Sequence, residues 1–349
     1  MSQDRTPIVS VLMPVRNEER SVAGAIQSVL SQTLQNIEIL IIDGQSNDAT
    51  VSIVTELSGT DARVRLLHNP DRTIPHALNI GLRAARGRFV ARVDAHASVS
   101  DDYLERGVAE LTADPAVASV GGRRIGVGDT PTALAVAAAL SSPFGVGNSV
   151  NHYGTEAQDT DHASFAVSRT DVLRSIGGWD ENLLVNEDVD LDHRIGLTGL
   201  RIRYDPQMEI YWQVRRTVRD LGRQYRRYGR GKAAMVRKNG RSAVRLRHLV
   251  APALVAWTGA ATVVAVSGHP RTAAAMIAPY GAGLTAATAI TLRKGYGEGR
   301  LSPLPLAGAF AAMHFGWGLG FLEGTLLRLV PAAASGRDPR QRTASAAMH

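Results

Sequence analysis

The chain has no cysteine among its 349 residues, which excludes disulfides and thiolate metal sites and leaves the redox compartment open. Aromatic residues are scarce at 5%, and too few are interleaved with basic ones to form a stacking platform for single-stranded nucleic acid. No Gly-x-Gly-x-x-Gly follows the first apolar run, so the dinucleotide fingerprint is missing. That run, residues 8–15, is short for a signal-peptide core and leads into Arg16-Asn17-Glu18-Glu19-Arg20 without a small-residue cleavage site; no signal peptide is expected.

What is present is a basic chain of formal charge +7. Its cations concentrate between Arg215 and Arg247, directly ahead of an apolar region. That placement favours an anionic membrane surface over nucleic acid as partner. Residues 1–212 alternate short apolar runs with amphipathic stretches, the pattern of an α/β domain built from βαβ units. Strands are expected at 8–14, 37–43, 64–68, 88–94 and 117–125, and helices at 19–32, 48–57, 75–85 and 101–112. Residues 126–162 loosen into Gly, Pro, Ser, Asn and Thr around an Ala-rich helix at 131–140, and read as a substrate loop. Structure resumes at 163–168 and with a helix near Glu187. A basic interfacial helical region follows at 213–248. Within 249–330 lie three apolar segments, 249–268, 272–292 and 301–322. Each is long enough to cross a bilayer at roughly 20 residues per helix, and each is small-residue-rich. The cations flanking them place residues 1–212 on the cytoplasmic side of the inner membrane. The third segment either crosses or lies re-entrant or interfacial. Residues 331–349 read as a disordered tail.

Four polar clusters fall at expected strand or loop ends, where open α/β sheets bind ligands. They are Pro14-Val15-Arg16-Asn17-Glu18, Asp43-Gly44-Gln45-Ser46-Asn47-Asp48-Ala49-Thr50, Asp94-Ala95-His96 and Asn186-Glu187-Asp188-Val189-Asp190. In the third, a carboxylate and an imidazole two residues apart suit a divalent cation, Mn²⁺ or Mg²⁺, carrying a diphosphate. A polar turn after a strand would look the same. The fourth is either a catalytic acidic motif or an acidic helix N-terminus.

This ordered set resembles the family 2 glycosyltransferases of the GT-A fold. Within it, the Arg92-Val93-Asp94-Ala95-His96 and Gly177-Gly178-Trp179-Asp180-Glu181 segments are similar to succinoglycan-type exopolysaccharide glucosyltransferases. The resemblance implies a mixed, mainly parallel sheet flanked by helices, with C-terminal transmembrane helices. It also implies a UDP-sugar donor and a lipid-linked saccharide acceptor. On it, Asp43 accepts from the uracil imide, and Pro14, Arg16 and Glu18 line the base and ribose pocket. Arg72 reaches the nucleotide or is a surface arginine. Asp94 and His96 hold the cation against the diphosphate, although the commoner pattern has Asp at the third position, so His96 touches metal or phosphate. Asp188 is the base, with Glu187 or Asp190 in reserve. Gln224-Tyr225-Arg226-Arg227-Tyr228 resembles the Gln-x-x-Arg-Trp motif of membrane synthases, which implies acceptor contacts from Gln224, Arg227 and Tyr228. Trp179 stacks on a sugar or fills the core, and His162 meets acceptor or lies on the surface. A processive polysaccharide synthase and a non-catalytic scaffold with a nucleotide pocket are the alternatives.

Overall fold

The computed structural model describes residues 6–240, 244–297 and 299–326. The tail expected from 331 lies outside them. The first half builds β1 (Val9–Val15), α1 (Val22–Leu30), β2 (Ile37–Asp43), α2 (Thr50–Thr60), β3 (Val64–His68) and α3 (Ile74–Ala84). Then come β4 (Phe89–Arg92), β5 (Ala97–Val99), α4 (Tyr103–Ala113) and β6 (Val117–Val127). These are βαβ units whose strands β3-β2-β1-β4 pair in parallel. β2 is buried along its whole length, which explains its near-continuous run of isoleucine and leucine. Its one charge inside that run, Glu38, is 2% exposed and accepts from Ser10 Oγ at 2.7 Å, Arg86 Nε at 3.0 Å and Arg65 Nη1 at 2.7 Å. A buried carboxylate persists because it is paired and hydrogen-bonded.

The expected substrate loop is more ordered than its composition suggests. It contains α5 (Pro131–Leu140), the short α6 (Pro143–Val146), a 3₁₀ turn at Val150–His152 and β7 (Gln158–Thr160). The chain continues through β8 (Val167–Arg169), α7 (Thr170–Ser175), α8 (Glu187–Leu197) and β9 (Arg201–Gln213). The sheet order is β3-β2-β1-β4-β8-β6-β9-β5, with β7 also on β9. β8 runs antiparallel between β4 and β6, so the sheet is mixed.

β9 is not among the strands expected from the sequence. It contains Pro206, and residues 206–208 fall outside the β6 pairing, which passes from Gly122↔Asp205 to Arg123↔Glu209. A bulge tolerates the proline that a regular central strand excludes.

Four long helices follow: α9 (Val218–Asn239), α10 (Arg247–Val266), α11 (Pro270–Lys294) and α12 (Pro303–Leu326). The last three are long and apolar enough to cross a membrane, with mean hydropathies of 2.0, 1.3 and 1.2. They differ in packing. α10 and α11 are largely exposed, whereas α12 is wedged against α9 along its length. The backbones nearly touch: a Cβ on Gly229 would sit 2.1 Å from Trp317 O, and one on Gly320 would sit 2.0 Å from Arg226 O. Small residues at such spacing permit close helix approach. Glu323 of α12 pairs with Arg226 and Arg230 of α9.

Candidate active site

Because β1, β2 and β3 run in parallel, the loops leaving their carboxyl ends lie side by side and are laced by hydrogen bonds. Asn17 N donates to Ser46 Oγ at 2.9 Å, Asn47 N to Asn17 Oδ1 at 2.9 Å, and Glu18 N to Thr50 Oγ1 at 2.8 Å. Asp48 Oδ1 accepts from Thr50 N at 3.0 Å, one residue outside the helical cap position at Ala49. Much of the second cluster therefore serves to fasten one loop to the next. Asn17, Gln45 and Arg72 have φ of 56°, 60° and 62°, a conformation that costs a long side chain on the order of 1 kcal/mol and collects at binding loops. Asp43 is 6% exposed and accepts from Gln45 N at 3.1 Å and Ser46 N at 3.1 Å. Pro14 and Glu18 are half-buried at the end of the neighbouring strand, and Arg16 and Arg72 are exposed on the rim. The Arg72 guanidinium donates to Gln45 Oε1.

β4 ends at Arg92, earlier than the expected 94, so Asp94 and His96 stand in the turn beyond it. Arg92 forks across the site. Nε donates to Asp94 Oδ1 at 2.8 Å, Nη2 to Asp94 Oδ2 at 3.3 Å and Nη1 to Glu187 Oε1 at 3.0 Å. Burial opposes the charge on Asp94, but Arg92 outweighs it and holds the carboxyl below its ordinary range. His96 Nδ1 lies 3.4 Å from Glu18 Oε1, and this contact raises the imidazole above its usual value. Among the described residues no three His, Asp or Glu side chains gather to hold a metal ion unaided. The donors present still fit a cation of the Mg²⁺ or Mn²⁺ type, which commonly takes one or two protein ligands and completes its shell with phosphate and water. An ionised carboxylate retains lone pairs beyond those Arg92 uses.

The acidic motif opens α8, with Asn186 left-handed at φ 64° just before it. Glu187 is 6% exposed, and burial together with the charge of Asp188 pushes its carboxyl up. Asp188 is more open, at 38% side-chain exposure. Burial would raise it too, but the charges of His162 and Arg92 prevail and hold it below the carboxylate range. One turn on, Asp192 Oδ2 is 2.7 Å from His162 Nδ1, while His162 Nε2 lies 3.9 Å from Asp188 Oδ2. Asp192 thus aims the imidazole at Asp188. Asp190, held in reserve by the sequence, is 0% exposed and tied to Arg194, Lys238 and Asn239; it fastens α8 to the end of α9.

One participant escapes the sequence reading: Arg92 looks like an isolated charge in an apolar strand. His162, read from sequence as meeting acceptor or lying on the surface, instead faces Asp188 and Asp192. For His162 a signal exists: Asp188 and Asp192 are four apart and share a helix face. Of the Gln224–Tyr228 motif, Gln224 is buried and donates to Tyr228 OH at 2.8 Å, and Tyr225 and Tyr228 line a cavity beside Asp188's neighbours. Arg227 is exposed outside that cavity. Trp179 is 5% exposed and packed with Leu82 and Leu191, which matches the core role.

A family profile, Glycosyl transferase family 2, matches residues 10–174. The succinoglycan biosynthesis protein ExoA of Rhizobium meliloti is 31% identical over 332 residues, covering 92% of this chain and 96% of that protein. A dolichyl N-acetyl-alpha-D-glucosaminyl phosphate 3-beta-D-2,3-diacetamido-2,3-dideoxy-beta-D-glucuronosyltransferase of Methanococcus voltae is 24% identical over 239 residues, 66% of this chain and 74% of that protein. Among solved structures, mannosyltransferase PcManGT from Pyrobaculum calidifontis, in complex with GDP-Man and Mn²⁺, shares the fold with a TM-score of 0.61. It is 23% identical, with 89% of this chain and 88% of that chain covered. An identity of 31% sustained over nearly the full length of both sequences, with the family profile over residues 10–174, shows that this chain belongs to the family 2 glycosyltransferases.

Proposed function

We propose that the chain transfers a hexose, glucose by the resemblance of its motifs to succinoglycan-type glucosyltransferases, from a UDP-sugar to a lipid-linked saccharide at the inner membrane, with inversion at the anomeric carbon. The observation that carries this reading is the Arg92 fork, which sets the nucleotide-side carboxylate Asp94 next to the acidic motif that bears Asp188. The nucleotide would lie along the first three loops, its base against Asp43 and its diphosphate toward Asp94 and His96. A divalent cation bound at Asp94 and His96 would neutralise charge on the departing nucleoside diphosphate. Asp188 takes the proton from the acceptor hydroxyl as that oxygen attacks the anomeric carbon. One displacement needs no carboxylate nucleophile, so Glu187 can serve as an anchor for Arg92. His162 positions Asp188 and keeps it ionised.

The membrane reading follows from α9 and α12. α9 exposes Arg219, Arg223, Arg226, Arg227, Arg230 and Arg237, and burying such a row in hydrocarbon costs several kcal/mol per charge on any scale. α12 is locked to that helix, so it lies with α9 along the membrane face. α10 and α11 cross as a hairpin around Gly268.

The transfer reading is tested by Asp188→Asn in the purified full chain. Product formation should fall by about 10²–10⁴-fold while UDP binding, read by calorimetry, persists; undiminished turnover would remove Asp188 from the mechanism. His162→Gln, which can still donate to Asp192, removes the charge that lowers Asp188. The acid limb of kcat/KM should therefore move to higher pH, and an unmoved limb would separate His162 from the base. The topology is accessible because the chain has no native cysteine. Single cysteines at Ser302 and Thr325 should both react with an impermeant thiol reagent from the catalytic-domain side, and one at Ser267 from the other. Labelling of Thr325→Cys and Ser302→Cys from opposite sides would mean that α12 crosses.

A further inference from the structure

Most cations beside Asp94 are already engaged. Arg92 divides its donors between Asp94 and Glu187, His96 faces Glu18, and Arg215 Nε donates to Gln224 Oε1 at 3.3 Å. Arg124 of β6 differs. Among the described residues it makes no hydrogen bond and no ion pair, and its Nε is buried without an acceptor. What holds it is the face of Trp212, with 4.4 Å from the guanidinium carbon to the ring centroid. A stacked guanidinium keeps its five in-plane N–H donors. Donors left without acceptors in a folded chain call for a reason.

The sheet register sets where this cation stands. Ala91 of β4 lies opposite Val167 of β8, and Val167 lies opposite Val120 of β6. β4 and β6 are both antiparallel to β8, so they run the same way. Arg124, four residues beyond Val120, is therefore level with the Asp94-Ala95-His96 turn, whose middle residue is four beyond Ala91. Trp212 pairs with Ala97, the residue after His96, so the stacking face belongs to the same turn. Arg123 also has a buried Nε without an acceptor, but successive side chains of a strand point to opposite faces, which puts it on the other side of the sheet.

Across the sheet the order runs β2, β1, β4, β8, β6, from the strand that ends in Asp43 to the strand that bears Arg124. At the usual spacing of neighbouring strands, Arg124 stands two strands, roughly 10 Å, beyond Asp94 on the side away from Asp43. A nucleotide with its base at Asp43 and its diphosphate at Asp94 meets this cation with its outer phosphate. Burial opposes the charge on Asp94 and on Asp188, and Arg124 adds to the stronger fields of their nearer cations that overcome it.

We propose that Arg124 is a catalytic residue of the transfer, its guanidinium binding the donor's β-phosphate, the one bonded to the sugar. As the acceptor oxygen bonds to the anomeric carbon, the bond from that carbon to the β-phosphate oxygen breaks and its electron pair stays on the oxygen. The acceptor proton goes to Asp188, and Arg124 keeps its own protons while stabilising the charge that develops on the leaving diphosphate. The inference rests on the reading of the donor as a nucleoside diphosphate sugar lying against Asp94, and it adds a protein-borne charge to the divalent cation there.

The test uses the purified full chain in the presence of Mg²⁺, with UDP and UMP as probes that differ by the β-phosphate alone, read by calorimetry. Arg124→Met, which keeps an apolar stem against Trp212, should weaken UDP binding by about tenfold or more, the scale of a hydrogen bond to a charged group, and leave UMP binding unchanged. Undiminished UDP affinity would overturn the proposal. Equal losses for UDP and UMP in a protein that melts like wild type would do so too, since the β-phosphate would then not be the partner. Recovery of wild-type UDP affinity on raising Mg²⁺ also overturns it, because Arg124 would then act through the metal at Asp94. If Arg124→Met melts earlier and loses both probes, the folded Arg124→Gln protein decides by the same comparison. If wild type binds neither probe, the uridine reading fails and GDP with GMP takes their place, so a wrong base and a wrong phosphate contact show differently. A chain that binds no nucleoside diphosphate overturns both readings.

Discussion

The guanidinium of Arg92 joins the two halves of the site. It stands at the end of β4, 13% exposed, and divides its donors between Asp94 in the turn beyond that strand and Glu187 at the start of α8. Without it, Asp94, Glu187 and Asp188 would face one another as partly buried like charges. Removing one partner of such a buried arrangement typically costs about 3–5 kcal/mol, because it strands an uncompensated charge. With it, α8 can present three acidic residues in its first turn, where the helix dipole also favours negative charge. The same turn carries Asp188 forward, and Asp192 one turn later orients His162 toward it.

The parallel part of the sheet is legible because its strands carry a strong signal. β2 and β3 keep the expected bounds, 37–43 and 64–68; β2 is apolar almost throughout, and both end at polar loops. The later strands are harder to read. β5, β7 and β8 are three residues each, too short to show a period, although β8 overlaps the end of the expected 163–168 stretch; β9, which pairs in parallel with β6, is disguised by Pro206 and by alternating charges. The loop at 126–162 gains its order from tertiary contacts. Asn151 Nδ2 donates to buried Ser164 Oγ at 3.0 Å, and Tyr204 OH donates to Gly154 O at 2.9 Å. Neither pairing can be read from local composition.

The site divides in the same way. Motif order points to Asp43, Asp94 and the Asn186–Asp190 run: the first two lie at the carboxyl ends of β2 and β4, and Arg92 ties the third to the end of β4. What the sequence conceals is the connections. Arg92 acquires a role only when α8 is laid across the end of β4, 95 residues along the chain. Trp179 leaves two readings open in the sequence, a sugar platform or a core aromatic; both neighbouring glycines take positive φ, and the indole is 5% exposed.

The membrane-side helices extend this arrangement rather than merely tethering it. α9 joins the catalytic half through Asn186 Nδ2, which donates to Tyr228 O at 3.1 Å, and joins the apolar half through the close approach to α12. A cavity bounded by both halves therefore lies next to the proposed base. The central claim is a single displacement at the anomeric carbon with Asp188 as base, and the configuration of the product tests it most directly. Proton NMR of the sugar transferred from a UDP-α-hexose should show the β-anomer as the initial product, and an α-anomer would contradict the account.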